Sequence, residues 1–170
     1  MKTIYFIILT YFLAAWIYPG LGHSQEKLTL KETAEAQHII VNWMECEECV
    51  DGELEAVKKL GEIAVPSLSK ILPEGPSKES LDLRRRHLIT TYKELKKYGE
   101  THPESAIKMS EQEYVKIYMD NYIALYQIRA AEALSAIGGL AAKKALEDSL
   151  KIPLRDDVKA AVRDSIEKLK

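Results

Sequence analysis

The only two cysteines of the chain are three residues apart, in Cys46-Glu47-Glu48-Cys49. At a helix end this spacing brings the two Cα atoms about 5 to 6 Å apart, which a disulfide bond can span. We predict a structural disulfide that fixes the turn after the first helix, with a redox-active pair or a metal-binding pair as the alternatives. A thioredoxin-like site lacks its βαβ context, and haem attachment is excluded because Val50, not histidine, follows Cys49.

Acidic and histidine side chains near this pair raise the question of a metal site. Zinc needs more ligands than two cysteines supply, and a lone histidine such as His38 is more often a structural residue. An acidic run surrounds the cysteines: Glu45, Glu47, Glu48, Asp51, Glu53 and Glu55. The run lacks the ligand spacing of a calcium loop, so we predict a solvated turn, with a basic partner or a cation as the alternative.

Four tyrosines recur at intervals of four residues: Tyr114, Tyr118, Tyr122 and Tyr126. On a helix, each step of four turns by about 40°, so the row winds through about 120°. This geometry predicts that the row lies in the core at one end and is exposed at the other. Such tyrosines either pack with their hydroxyls in water or form a recognition surface for a partner.

Basic residues form a second candidate surface just before the tyrosine row. The predicted helix over 81–98 has a local surplus of four positive charges, with Asp82 and Glu94 set against Arg84, Arg85, Arg86, Lys93, Lys96 and Lys97. Helical spacing places Arg86, Lys93 and Lys97 on one stripe. The stripe is either a solvated face with local ion pairs or a surface for an anionic partner.

The chain lacks the motifs of the common catalytic sites. It contains no G-x-S-x-G, no phosphate-binding loop, no H-E-x-x-H and no dinucleotide fingerprint. Asp156-Asp157 is better explained as charge and capping at a helix N-terminus. The formal charge of −2, from 24 basic and 26 acidic residues, argues against a nucleic-acid binder that relies on overall positive charge. We therefore expect no enzyme activity, no cofactor and no nucleic-acid partner.

The N-terminal segment is typical of a secretory signal peptide. Lys2 precedes an uncharged apolar run that is too short for a comfortable membrane span. Small residues place a cleavage site near Gly22 or Ser24. We predict that residues 1–25 are removed and that residues 26–170 form one domain, periplasmic or secreted, with no membrane contact beyond the export signal. An uncleaved anchor is the alternative.

The rest of the sequence shows helical spacing and no convincing strand. We predict an all-α chain of about seven helices with short connections and longer central helices. Their approximate bounds are 30–45, 52–60 with Asp51 as the cap, 65–72, 81–98, 111–137, 141–151 and 156–169. Two capping boxes are predicted, at Thr29-Leu30-Lys31-Glu32 and at Ser110-Glu111-Gln112-Glu113, and a linker over 99–109.

A helical repeat is visible near the C-terminus. Placing Leu134 on Ile166 aligns Ala130 with Val162, an offset that is typical of one helical hairpin per repeat. The segment 128–139, followed by 142–146, resembles a HEAT-like repeat of the short type found in bilin lyases and many bacterial proteins. Two further parts resemble other units of this family: 158–166, and 54–61 with 64–68.

The resemblance covers roughly half of the predicted domain and implies a short α-solenoid, in which HEAT-like helical hairpins stack to bury their apolar faces. Residues 74–127 depart from the repeat. The repeat carries no catalytic residues of its own, so the resemblance implies no bilin chemistry. We predict a scaffold that binds a protein or peptide through the central helices, at the tyrosine row and the basic stripe. The alternative function is a periplasmic thiol-disulfide protein that uses Cys46 and Cys49.

Overall fold

The computed structural model describes residues 30–46 and 51–169, and this part of the chain is all-helical. The helices are α1 (Leu30–Glu45), α2 (Asp51–Leu60), α3 (Val65–Glu74), α4 (Lys78–Thr101), α5 (Glu111–Ile137), α6 (Gly139–Ser149) and α7 (Asp156–Glu167). Short 3-10 turns at Gly61–Ile63 and Pro103–Ser105 follow α2 and α4. The predicted all-α class and the seven helices are confirmed. The predicted signal segment and the first capping box include residues that lie outside the described part of the chain.

Capping interactions determine where the two central helices begin. The Ser110 hydroxyl accepts a hydrogen bond from the Glu113 amide at 3.2 Å, and the Glu113 carboxylate accepts one from the Ser110 amide at 2.8 Å. The capping box predicted for α5 is therefore confirmed. The Ser77 hydroxyl accepts from the Ser80 amide, so α4 begins at Lys78, three residues before its predicted start.

Helix α3 ends later than the sequence predicted. We expected the chain to break after Leu72, but the helix continues through Pro73 to Glu74. Proline removes one amide donor, so the last turn of α3 lacks one backbone hydrogen bond. Here the Gly75 amide donates to the Ile71 carbonyl at 2.7 Å, with Gly75 at a φ of 75° that suits glycine. The other helix ends lie within three residues of their predicted positions.

Helix α5 is the centre of the fold, because it contacts every other described helix. Its C-terminal half buries Ala130, Ala131 and Ala133, and such small side chains allow neighbouring helices to approach closely. Larger side chains from the other helices fill the core around them: Ile40, Met44, Val57, Leu68, Leu72, Leu146, Val158 and Val162. The main core thus surrounds one half of α5.

The N-terminal half of α5 pairs with α4 as an antiparallel hairpin. A separate apolar cluster holds the pair together: Leu88, Tyr92, Tyr114, Val115 and Met119. The ring centroids of Tyr92 and Tyr114 lie 5.4 Å apart, and the Arg84 guanidinium lies over the ring of Tyr122. These contacts define the register of the α4–α5 hairpin. Among the described helices, none combines the length and the apolar character that crossing a membrane requires.

Candidate functional site

The four tyrosines of α5 do not form one continuous surface. Tyr114 and Tyr126 are 6% and 4% exposed, Tyr122 is partly buried, and Tyr118 is 43% exposed. The row is buried at both ends, whereas helical winding predicted burial at one end only. The difference arises because Tyr114 packs in the hairpin cluster while Tyr126 packs in the main core. Of the four, Tyr118 offers the largest area to a partner.

Tyr122 and Tyr126 converge on one carboxylate from α1. The Tyr122 hydroxyl donates to Glu45 Oε1 at 2.6 Å, and the Tyr126 hydroxyl donates to the same oxygen. The two phenol oxygens are 3.4 Å apart. The Arg84 guanidinium lies 5.3 Å from the centroid of the Tyr122 ring, within the range of a cation–π contact. This cluster joins the end of α1 to α5 and α4.

These contacts change the acidity of both phenols. Burial raises the pKa of Tyr122 to about 12, and the hydrogen bond to Glu45 adds to this shift. Burial and the same carboxylate also raise the pKa of Tyr126. The physical reason is that deprotonation creates a poorly solvated phenolate beside a carboxylate. Both hydroxyls are therefore protonated donors at neutral pH, a state that suits a structural contact.

Arg129 makes a second contact between α5 and the end of α1, a contact that no sequence motif predicted. Its guanidinium donates to the Met44 carbonyl at 2.6 Å and to the Cys46 carbonyl at 2.8 Å. In return, the Trp43 indole nitrogen donates to the Arg129 carbonyl at 3.0 Å. The last carbonyls of a helix have no intrahelical donor, so a cationic side chain here stabilises the end of α1.

Cys46 directly follows α1, and its carbonyl accepts the hydrogen bond from Arg129. Cys49 lies outside the described residues, so the disulfide between the two cysteines stays a prediction. His38 is exposed, and its Nδ1 atom lies 3.3 Å from the side-chain nitrogen of Asn42. Across residues 30–46 and 51–169, no three metal-ligating side chains come together.

The basic stripe lies away from the tyrosines. Arg86, Lys93 and Lys97 are all exposed. Around the axis of α4 they lie about 140° to 180° from Leu88, which packs in the cluster between α4 and α5. Arg86 and Lys97 therefore face away from α5, and Lys93 lies at the edge of this outer face, next to the side that carries Ile89. The structure thus separates the two groups that we predicted to act together at one surface.

Exposed apolar side chains concentrate on the α4–α5 hairpin and its connection. Ten large apolar side chains are exposed in the described part of the chain, and seven of them lie here: Leu83, Leu95, Tyr98, Met109, Ile117, Tyr118 and Leu125. The remaining three, Val41, Ile63 and Leu140, are scattered over other elements. Scattered apolar residues are ordinary, whereas neighbouring ones that form a contiguous patch are typical of an interaction surface.

Comparison with models of protein families, with curated proteins and with solved structures finds no match to this chain. The structure defines an all-α protein in which a long helical hairpin extends from a core around α5. Its function must therefore be inferred from its own surfaces.

Proposed function

We propose that this protein is an exported, non-catalytic scaffold of HEAT-like repeats that binds a protein or peptide through the α4–α5 hairpin. The observation that carries the proposal is the concentration of exposed apolar side chains on this hairpin. These side chains lie outside the main core and contribute little to its packing. Their burial against a partner would supply the apolar free energy that drives most protein association.

One side of the hairpin combines several of these residues. Leu95 and Tyr98 lie within about 40° of Arg84 around α4, and Tyr118 lies one turn before Tyr122 on α5. Because Arg84 stacks on Tyr122, all of these residues share the same side of the hairpin. We call the surface of Leu95, Tyr98 and Tyr118 the tyrosine side. Aromatic residues are enriched among those that dominate binding energy, so this side is the first to test.

The contacts among the other helices support the HEAT-like part of the proposal. If α2 and α3 form one unit, the C-terminal half of α5 and α6 form the next, and α7 begins a third. Helix α2 contacts α5, and α5 contacts α7, while α3 contacts α6. On this assignment, these contacts join first helices to first helices and second to second, which is the pattern that the proposal requires. Helix α4 and the first half of α5 are then an insertion, which accounts for the departure of residues 74–127 from the repeat.

The proposed location is the periplasm or the exterior, on the strength of the apolar run that follows Lys2. The intact mass of protein isolated from its own cells tests this part. Loss of the residues up to about Gly22 or Ser24 is expected. A mass that begins at Met1 would contradict cleavage.

In that compartment we expect Cys46 and Cys49 to form a structural disulfide. Protein isolated without reductant should contain no free thiol, and the bond should resist mild reductant. A labile pair with a depressed thiol pKa would instead favour the alternative function in thiol–disulfide exchange.

Quantitative affinity capture with the tagged, exported chain tests the binding proposal. The test bait carries Leu95→Ala and Tyr118→Ala, and the control bait carries Leu140→Ala, which removes a side chain that is 88% exposed on α6. A partner that is captured by the wild type and by the control should be lost by the test bait. Circular dichroism must show equal helix content for all three. A partner that is lost only with Leu140→Ala would refute the proposed surface.

A further inference from the structure

The side of the α4–α5 hairpin away from the tyrosine side carries an open groove. Its volume is about 400 Å³. Apolar side chains from both helices line it: Leu81, Ile89, Val115, Met119 and Ile123. Apolar grooves between two helices are well suited to an amphipathic helix, which places its apolar face in the groove.

The α4 edge of this groove is positively charged. Arg85 and Ile89 line the groove, and Lys93 and Lys96 follow on the same face of α4 beyond it, at spacings of four and three residues. The three cations are exposed. None of the ion pairs found among the described residues involves them. Their charge is therefore available to a ligand.

The α5 edge differs in charge. Lys116 and Asp120 neutralise each other through an ion pair at 2.7 Å, and Glu111 adds a negative charge. A ligand that lies in the groove thus meets positive charge on one flank only. This asymmetry disfavours a nucleic-acid backbone, which presents phosphates along its whole length and would meet Glu111 and Asp120.

We infer that the groove binds an amphipathic helix of a partner protein, with its apolar face on the groove floor and acidic residues along the flank next to α4. The inference rests on the proposed function and names the class of partner. Arg85 and Lys96 are about 16 Å apart along α4, at 1.5 Å per residue, which corresponds to three helical turns. The bound helix is expected to be at least this long and to carry carboxylates spaced by three or four residues.

Two fluorescein-labelled peptides of eighteen residues test the inference with the full exported chain. Both carry leucines at i, i+3, i+4 and i+7, with glutamates on one flank of the first peptide and lysines at the same positions of the second. Fluorescence anisotropy should show saturable binding of the glutamate peptide and at least tenfold weaker binding of the lysine peptide. The combined changes Arg85→Glu, Lys93→Glu and Lys96→Glu should weaken binding of the glutamate peptide at least tenfold, about 1.4 kcal/mol.

A matched variant controls for overall charge. Lys59→Glu, Lys143→Glu and Lys144→Glu change the net charge equally at exposed positions on α2 and α6, and this variant should bind like the wild type. Methyl resonances of Ile89 and Met119 should shift when the glutamate peptide is added to the wild-type chain. This readout does not depend on the folding of any variant.

Several results would overturn the inference: no saturable binding, equal binding of the two peptides, equal losses for the two charge variants, or tighter binding of a single-stranded oligonucleotide at the same groove. A captured partner that depends on Leu95 and Tyr118 but not on the three groove cations would overturn the inference while it supports the proposed function. Failure of both the capture experiment and the peptide titration would reject both.

Discussion

Removal of the Tyr126 hydroxyl tests whether the contact with Glu45 holds the end of α1 against α5. The change Tyr126→Phe retains the aromatic ring, which packs in the main core, and deletes only the group that donates to Glu45 Oε1. Because the ring volume is almost unchanged, no cavity term contributes to the result. Any loss of stability therefore reports the contacts of this hydroxyl, which are the hydrogen bond to Glu45 and the longer contact of 3.4 Å with the Tyr122 hydroxyl.

The expected loss follows from the surroundings of both partners. A hydrogen bond to a charged group contributes about 1.5 to 3 kcal/mol. Two features lower this value: Glu45 is exposed and regains water, and Tyr122 still donates to it at 2.6 Å. We expect Tyr126→Phe to lower the free energy of unfolding by about 1 to 1.5 kcal/mol. For a chain of this size the melting temperature should fall by roughly 2 to 6 °C.

Urea unfolding followed by circular dichroism measures this loss as a shift of the midpoint at constant slope. Tyr118→Phe is the matched control, because Tyr118 is exposed on the same helix and its hydroxyl makes no hydrogen bond to the described chain. The control should change stability by less than about 0.5 kcal/mol. Equal losses for the two variants, or a loss below about 0.3 kcal/mol for Tyr126→Phe, would refute the role of Glu45 as acceptor.

Three further predictions concern the same helices. Folding raises the pKa of Tyr122 to about 12, so the folded state favours the protonated phenol. The resulting contribution to the free energy of unfolding is fully present below the unfolded pKa of about 10 and is lost as the pH rises to about 12. Urea midpoints over this range should fall more steeply for the wild type than for Tyr122→Phe, and parallel curves would contradict the prediction. Gly99→Ala places a Cβ atom 2.8 Å from Ala106 Cα, and this overlap should lower the free energy of unfolding by about 1 to 3 kcal/mol. The control Gly52→Ala has nothing within 4 Å of its Cβ atom and should be neutral or stabilising. Ser110→Ala removes the cap of α5 and should cost about 1 kcal/mol in the same assay, while Ser110→Asp, which keeps a capping oxygen, should cost less.

The helix bounds could be predicted from the sequence because they depend on local signals. The capping box at Ser110 and Glu113 lies within four residues, and its geometry needs no information about the rest of the chain. The early start of α4 shows the limit of such signals. Ser77 and Ser80 are both plausible caps, and only the structure shows that Ser77 caps the helix.

The contacts of Arg129 and of the tyrosines could not be predicted, because they join residues far apart in sequence. Arg129 donates to carbonyls that precede it by more than eighty residues. Spacing by four residues places tyrosines on one side of a helix, but the neighbouring helices decide which of them are covered. Tyr114 and Tyr126 are buried because α4 covers one end of the row while the main core covers the other.

The exposed apolar residues of α4 are more numerous than its packing requires. Helix α4 packs mainly against α5, and one such contact needs an apolar stripe roughly 100° wide. Leu88 and Tyr92 lie within that stripe, but Leu83 lies about 140° from Leu88 and is exposed. Leu83 belongs to neither apolar cluster, so packing against α5 does not account for it. A partner that covers part of α4, as proposed above, would bury this additional apolar surface.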